Sequence, residues 1–63
     1  MNLKQLPGRL RKLREAKGWS QMKLALVTGI PNETLCRYES GQRTPKLENL
    51  AKLEKALGAS LLG

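Results

Sequence analysis

Four glycines, Gly18, Gly29, Gly41 and Gly58, divide the chain into short segments, most of which carry apolar residues at helical spacing that stop where the glycine stands. A chain punctuated in this way forms helices too short to hold themselves up in water, so each must bury an apolar face against its neighbours. Leu6, Leu10 and Leu13 lie at i, i+4 and i+7, with Pro7 acceptable in a first turn, and predict a helix over about 6–17. Ser20 is a suitable N-cap, because its hydroxyl accepts a free amide proton of the next turn; Leu24 with Val27 then supplies the apolar stripe of a second helix, about 21–28. In a third segment, about 32–40, Leu35 and Tyr38 share one face while Asn32, Glu33, Cys36 and Arg37 share the other. Thr44 followed by Pro45 reads as an N-cap with proline at the first helical position. It opens a fourth helix running to about residue 57, in which Leu47, Leu50, Leu53 and Leu57 repeat at three and four residues. Ser60 is placed to cap a fifth turn over 59–63. No stretch alternates apolar and polar residues in the manner of a strand. The expected fold is therefore all-α, a compact bundle of four to five short helices forming one domain over 1–63.

Charge narrows the choice of partner. Twelve Lys and Arg stand against five Asp and Glu with no His, a formal net charge of +7, which calls for an anionic partner such as nucleic acid or a membrane surface. Cys36 is the single cysteine, so no internal disulfide and no Cys/His zinc set is available. A reducing compartment, the cytoplasm, is the simple inference. The acids Glu15, Glu33, Glu39, Glu48 and Glu54 are scattered singly, which supplies no general-base pair, nucleophile dyad or metal cluster. No enzyme, cofactor or metal is expected. The longest apolar run, Leu24 to Val27, falls far short of the roughly 20 residues of a membrane span.

The informative stretch is Gln21 to Gly41. Two helices crossing through a short turn need a small side chain at their closest approach, which Ala25 supplies. Gly29 lets the chain leave the second helix with positive φ, and Ile30, Leu35 and Tyr38 form an apolar underside for the third. The pattern, about 20–41, is a helix-turn-helix.

Ser20-Gln21-x-x-Leu24-Ala25-x-x-x-Gly29-Ile30, followed by Leu35-x-x-Tyr38-Glu39-x-Gly41 and Thr44-Pro45, resembles the phage-repressor type of helix-turn-helix, the Cro/C1-like or XRE-like DNA-binding domains with the lambda-repressor-like fold. The resemblance extends to Leu10-x-x-Leu13-Arg14 and Gly18 upstream and to Leu50, Leu53 and Ala56-Leu57-Gly58 downstream, about 6–60 in all. It implies that the helix from about Asn32 to Ser40 enters the major groove, with Asn32, Glu33 and Arg37 at base edges. The side-chain chemistry agrees: Asn pairs with adenine N6 and N7, Arg with guanine O6 and N7, and Glu accepts from cytosine N4. The same three residues would also suit the solvated face of any surface helix. The resemblance further implies a phosphate contact from Gln21 and an ion pair between Arg14 and Glu39 that orients the recognition helix; Arg43 and Lys46, by charge and position, and Ser40 are further phosphate-contact candidates, with ordinary surface charge as the alternative for the two cations. Arg9, Arg11, Lys12, Lys17 and Lys23 cannot all face one duplex, so some of that charge is only solvated. Homodimers of this type read near-palindromic sites with half-sites about one helical turn apart. Leu57, Ala59, Leu61 and Leu62 are candidates for the two-fold contact, or equally for the edge of the core.

Three residues depart from the family pattern. Pro31 stands where a Ser or Thr cap commonly opens the recognition helix, which leaves the first helical residue open by one. Thr28 replaces an apolar residue, and Lys23 places a positive charge in a first turn, against the helix dipole; both are expected to reduce stability slightly. The reading that follows is a sequence-specific double-stranded DNA-binding transcriptional regulator, a repressor, of bacterial or phage type. The rival is a protein-interaction module such as an antitoxin that masks a partner protein. A cationic membrane-surface peptide is disfavoured, because the glycines prevent one long amphipathic helix.

Overall fold

A computed structural model describes residues 3–62. Four helices follow in order, α1 Leu6–Ala16, α2 Gln21–Thr28, α3 Asn32–Ser40 and α4 Leu47–Leu57, with no strand among the described residues. α3 packs on α1 and α2, and α2 also packs on α4. The core they enclose comprises Leu6, Leu10, Leu24, Ile30, Leu35, Tyr38, Leu50, Leu53, Leu57 and Leu61, with Leu13, Trp19, Ala25, Ala56 and Leu62 packed at its margin. Ser20 caps α2, its Oγ accepting the Lys23 N–H at 3.1 Å. α2 then ends at Gly29, whose φ of 77° is the left-handed conformation that the tight exit requires. α3 opens at Asn32 with Pro31 as an N-cap that offers no side-chain acceptor.

The face that α2 buries is not the one its apolar residues outline. Leu24 is fully buried, but Val27 is 46% exposed and Leu26 80% exposed. The inward positions are Gln21, Leu24, Ala25 and Thr28, a helical stripe with a polar residue at each end. Thr28 meets its burial by bonding twice: its hydroxyl donates to the Leu24 carbonyl at 2.7 Å and accepts the Ile30 N–H at 3.2 Å. The expected weakening by a polar residue there is thus offset, since the hydroxyl satisfies an amide in the turn itself.

α4 starts two residues later than its proline suggests. Lys46 is the N-cap, in extended conformation and without a side-chain cap bond. Pro45 is buried in the irregular segment before it, and the residue preceding a proline is itself biased away from helix. Thr44 therefore does not cap α4. Leu47, at the first turn of the helix, is 82% exposed and contributes nothing to the core.

Residues 58–62 form a turn and bends rather than a fifth helical turn, and Gly63 lies outside the described residues. The segment is held by its backbone: the Ser60 carbonyl accepts from Arg9 Nε at 2.7 Å, and the Leu61 N–H donates to Glu54 Oε2 at 2.8 Å. Those bonds pull Leu61 into the core.

Truncating Leu24 to Ala is expected to cost about 2–5 kcal/mol, most of what a domain this small has to lose. Leu26→Ala, on the outward face of the same helix, is expected to stay within about 0.5 kcal/mol of the parent. Urea denaturation followed by circular dichroism separates the two.

Candidate nucleic-acid interface

The outward side of α3 is fixed by what its inward side must do. Leu35 and Tyr38 are buried, and the Tyr38 hydroxyl accepts from Asn49 Nδ2 of α4 at 2.9 Å, so the helix cannot roll about its axis. Asn32, Glu33, Cys36, Arg37 and Ser40 are thereby left exposed together on one face. Arg37 Nη2 donates to Glu33 Oε1 at 2.9 Å across one helical turn. The two are therefore a pair and not independent side chains, as their i, i+4 spacing allows.

The outward face of α3 is anchored by a part-buried ion pair. Arg14 of α1 meets Glu39 of α3 through two parallel bonds, Nε to Oε2 at 2.7 Å and Nη2 to Oε1 at 3.0 Å. The side chains are only 11% and 5% exposed. Arg14 Nη1 donates to the Trp19 carbonyl at 2.7 Å, and Gln21 Nε2 to Glu39 Oε1 at 3.3 Å. One cluster therefore joins α1, the α1–α2 turn, the start of α2 and the end of α3. The bond to Glu39 holds the Arg14 guanidinium above its ordinary range, outweighing the loss of water on burial, with the charges of Glu39 and Glu15 adding to it. Because the folded-state value is raised, the stability linked to this charge is fully present below the ordinary arginine range. It is lost only as pH rises through the folded value, so it is constant through neutral pH.

The residues expected at phosphates fall in different circumstances. Gln21 begins α2, with one amide proton committed to Glu39 and the second left over. With Ser20 satisfying the Lys23 N–H, the first-turn amides of Gln21 and Met22 have no acceptor within the helix. Arg43 and Lys46 are exposed in the irregular segment before α4. Among the described residues neither enters an ion pair. Ser40 is also exposed, but its hydroxyl donates back to the Arg37 carbonyl at 3.2 Å, which uses the only proton it has to offer a phosphate. Cys36, Arg11 and Ser40 border a shallow groove over the Arg14–Glu39–Gln21 cluster. Lys17 lies apart from it, its ammonium 5.5 Å from the centre of the Trp19 ring.

The candidates for a two-fold contact divide. Leu57 and Leu61 are buried in this chain's own core and have no surface to give a second copy. Ala59 and Leu62 are half-buried beside them. Among the described residues no group of Cys and Glu is placed to hold a metal ion. No helix of the described residues is long and apolar enough to cross a membrane.

The order of short helices, the left-handed turn at Gly29 and the buried Leu35 and Tyr38 define a helix-turn-helix domain, and comparison with known proteins agrees. A family model described as Helix-turn-helix matches residues 10–63. The chain is 42% identical over 52 residues to the SPbeta prophage-derived uncharacterized HTH-type transcriptional regulator YonR of Bacillus subtilis, which covers 82% of this chain and 48% of that protein. It is 49% identical over 45 residues to the HTH-type transcriptional regulator AnsR of the same organism, 71% of this chain and 39% of that protein. The fold superposes with a TM-score of 0.85, at 41% identity, on the crystal structure of the restriction-modification controller protein C.AhdI from Aeromonas hydrophila, covering 94% of this chain and 89% of that one. The chain belongs to the helix-turn-helix family, in its Cro/C1-type, XRE-like branch. It spans less than half the length of the two Bacillus regulators.

Removing one member of this part-buried pair strands the other. Arg14→Ala and Glu39→Ala are each expected to cost about 3–5 kcal/mol, whereas replacing both with apolar residues of similar volume costs far less than the sum. Equilibrium denaturation of the two single variants and the double variant measures this.

Proposed function

We propose that this protein binds double-stranded DNA sequence-specifically and regulates transcription, acting as a repressor by occupying an operator. The observation that carries the reading is the outward face of α3, where Asn32, Glu33 and Arg37 stand exposed together on a helix whose roll is fixed by Tyr38 and Asn49. A side chain reads a base edge only when its helix is held in one register against the groove. Asn32 and Arg37 supply the bidentate groups suited to adenine and guanine.

Affinity independent of sequence comes from the phosphates. The first-turn amides of α2 and the spare Gln21 proton face one strand, and Arg43 and Lys46 supply mobile cations. The net charge of +7 favours the encounter. The regulator acts in the cytoplasm of a bacterium, on a near-palindromic site, as a homodimer with half-sites about one turn apart. With Leu57 and Leu61 committed to the core, the two-fold contact falls to Ala59, Leu62 and the surface around them.

One observation favours a protein partner instead: Met22 and Leu26 are 68% and 80% exposed on α2, a surface suited to apolar contact. Salt separates the readings, since the logarithm of DNA affinity falls by about 0.9 per neutralised phosphate for each unit of log salt. Selection of duplexes from a random pool at about 150 mM salt with non-specific competitor is expected to enrich an inverted repeat, centres about 10–11 bp apart. Gln21→Ala should then weaken all sequences alike, and Arg37→Ala should relax one base position per half-site. Recovery of no sequence, or of the two effects exchanged between these residues, would overturn the docking proposed here.

A further inference from the structure

We infer that Glu33 is a positioning residue for Arg37 and does not itself read a base; this rests on the DNA-binding reading above. Arg37 is the longest side chain on the outward face of α3, and an exposed arginine samples many rotamers. To discriminate a guanine it must present two N–H groups in one plane to O6 and N7. Glu33, one turn closer to the helix N-terminus, takes a single proton from Nη2 at 2.9 Å. Nη2 carries one proton on each of the two forked edges of the guanidinium. Whichever proton Glu33 takes, the other edge stays whole and free to meet a base.

The pair has little to do for stability. Both side chains are largely in water, Glu33 77% and Arg37 44% exposed, where an i, i+4 ion pair contributes little to the fold. A second observation concerns the carboxylate's own charge. The groove it would enter is lined by phosphates, and a bare carboxylate is repelled there, whereas one paired with Arg37 presents a nearly neutral unit. Reaching for cytosine N4 would draw Glu33 away from the guanidinium and return both charges to the unpaired state. The geometry therefore favours one two-residue reader of one base pair over two independent readers.

The test is the duplex selection repeated with Arg37→Ala, Glu33→Ala, Glu33→Gln and the double variant Glu33→Ala/Arg37→Ala, each checked for unchanged helix content by circular dichroism. Arg37→Ala is expected to lose about ten-fold or more of the preference at one base pair per half-site. Glu33→Ala should lose about three- to ten-fold at that same base pair and leave the others intact, and the double variant should be no more relaxed than Arg37→Ala alone. Glu33→Gln keeps an oxygen that accepts from Nη2, so it should recover much of the preference. Relaxation at a different base pair in Glu33→Ala would make Glu33 a reader in its own right and overturn the inference, as would unchanged preference at every position. Failure of the parent protein to select any sequence would instead remove the DNA-binding reading beneath it, and is visible before any variant is made.

Discussion

The architecture depends on one ion pair largely withdrawn from water. Arg14 and Glu39 lie 25 residues apart in sequence and meet at the junction of three helices, where their bonds leave little freedom in how α3 lies across α1. Apolar packing alone specifies such an angle loosely, because leucine faces slide over one another at small cost. A bidentate arginine–carboxylate pair has a preferred plane and two fixed distances. Its net contribution to stability against an apolar pair is small or negative. Its value here is geometric, since the helix it fixes carries the exposed face on which the functional reading rests.

Around this pair the small core is supplemented by hydrogen bonds placed where leucine would be too blunt. Thr28 closes the turn between α2 and α3, Asn49 holds the Tyr38 hydroxyl, and Arg9 and Glu54 secure residues 60 and 61 by their backbone groups. Among the described residues no buried side-chain polar atom lacks a partner. A domain with so few core residues cannot absorb the cost of an unsatisfied one.

Much of the fold was legible in the sequence, because leucine spacing and glycine position report on local backbone conformation. Helices α1 to α3 fall within a residue of the expected bounds, and the turn at Gly29 has the conformation its residues demand. The errors have physical causes. In α2 the apolar pair Leu24 and Val27 outlines one inward face, yet the true stripe ends in Gln21, made tolerable by Glu39 across the fold, and in Thr28, whose hydroxyl bonds within its own helix and the turn that follows. In α4, Pro45 behaves as a core residue before it behaves as a helix starter. The residues singled out on α3 share one face by periodicity alone, but the commitment of Gln21 to Glu39 across 18 positions has no local signature. Leu57 and Leu61 looked equally suited to a dimer seam or a core edge, since burial by a neighbour and burial by one's own chain leave the same trace in a sequence.

The outward pair Met22 and Leu26 also bears on how the molecule behaves as a colloid. Apolar surface of this kind draws copies together, and what opposes it is mutual repulsion between bodies of charge +7. That repulsion reaches about 10 Å in 0.1 M salt and only about 3 Å in 1 M, while apolar attraction does not weaken with added salt. The ionic conditions that strip a basic protein from a polyanion are thus the ones in which its α2 faces meet most readily, and the molecule is best dispersed in the same dilute salt in which a surface of its charge is drawn most strongly to any polyanion.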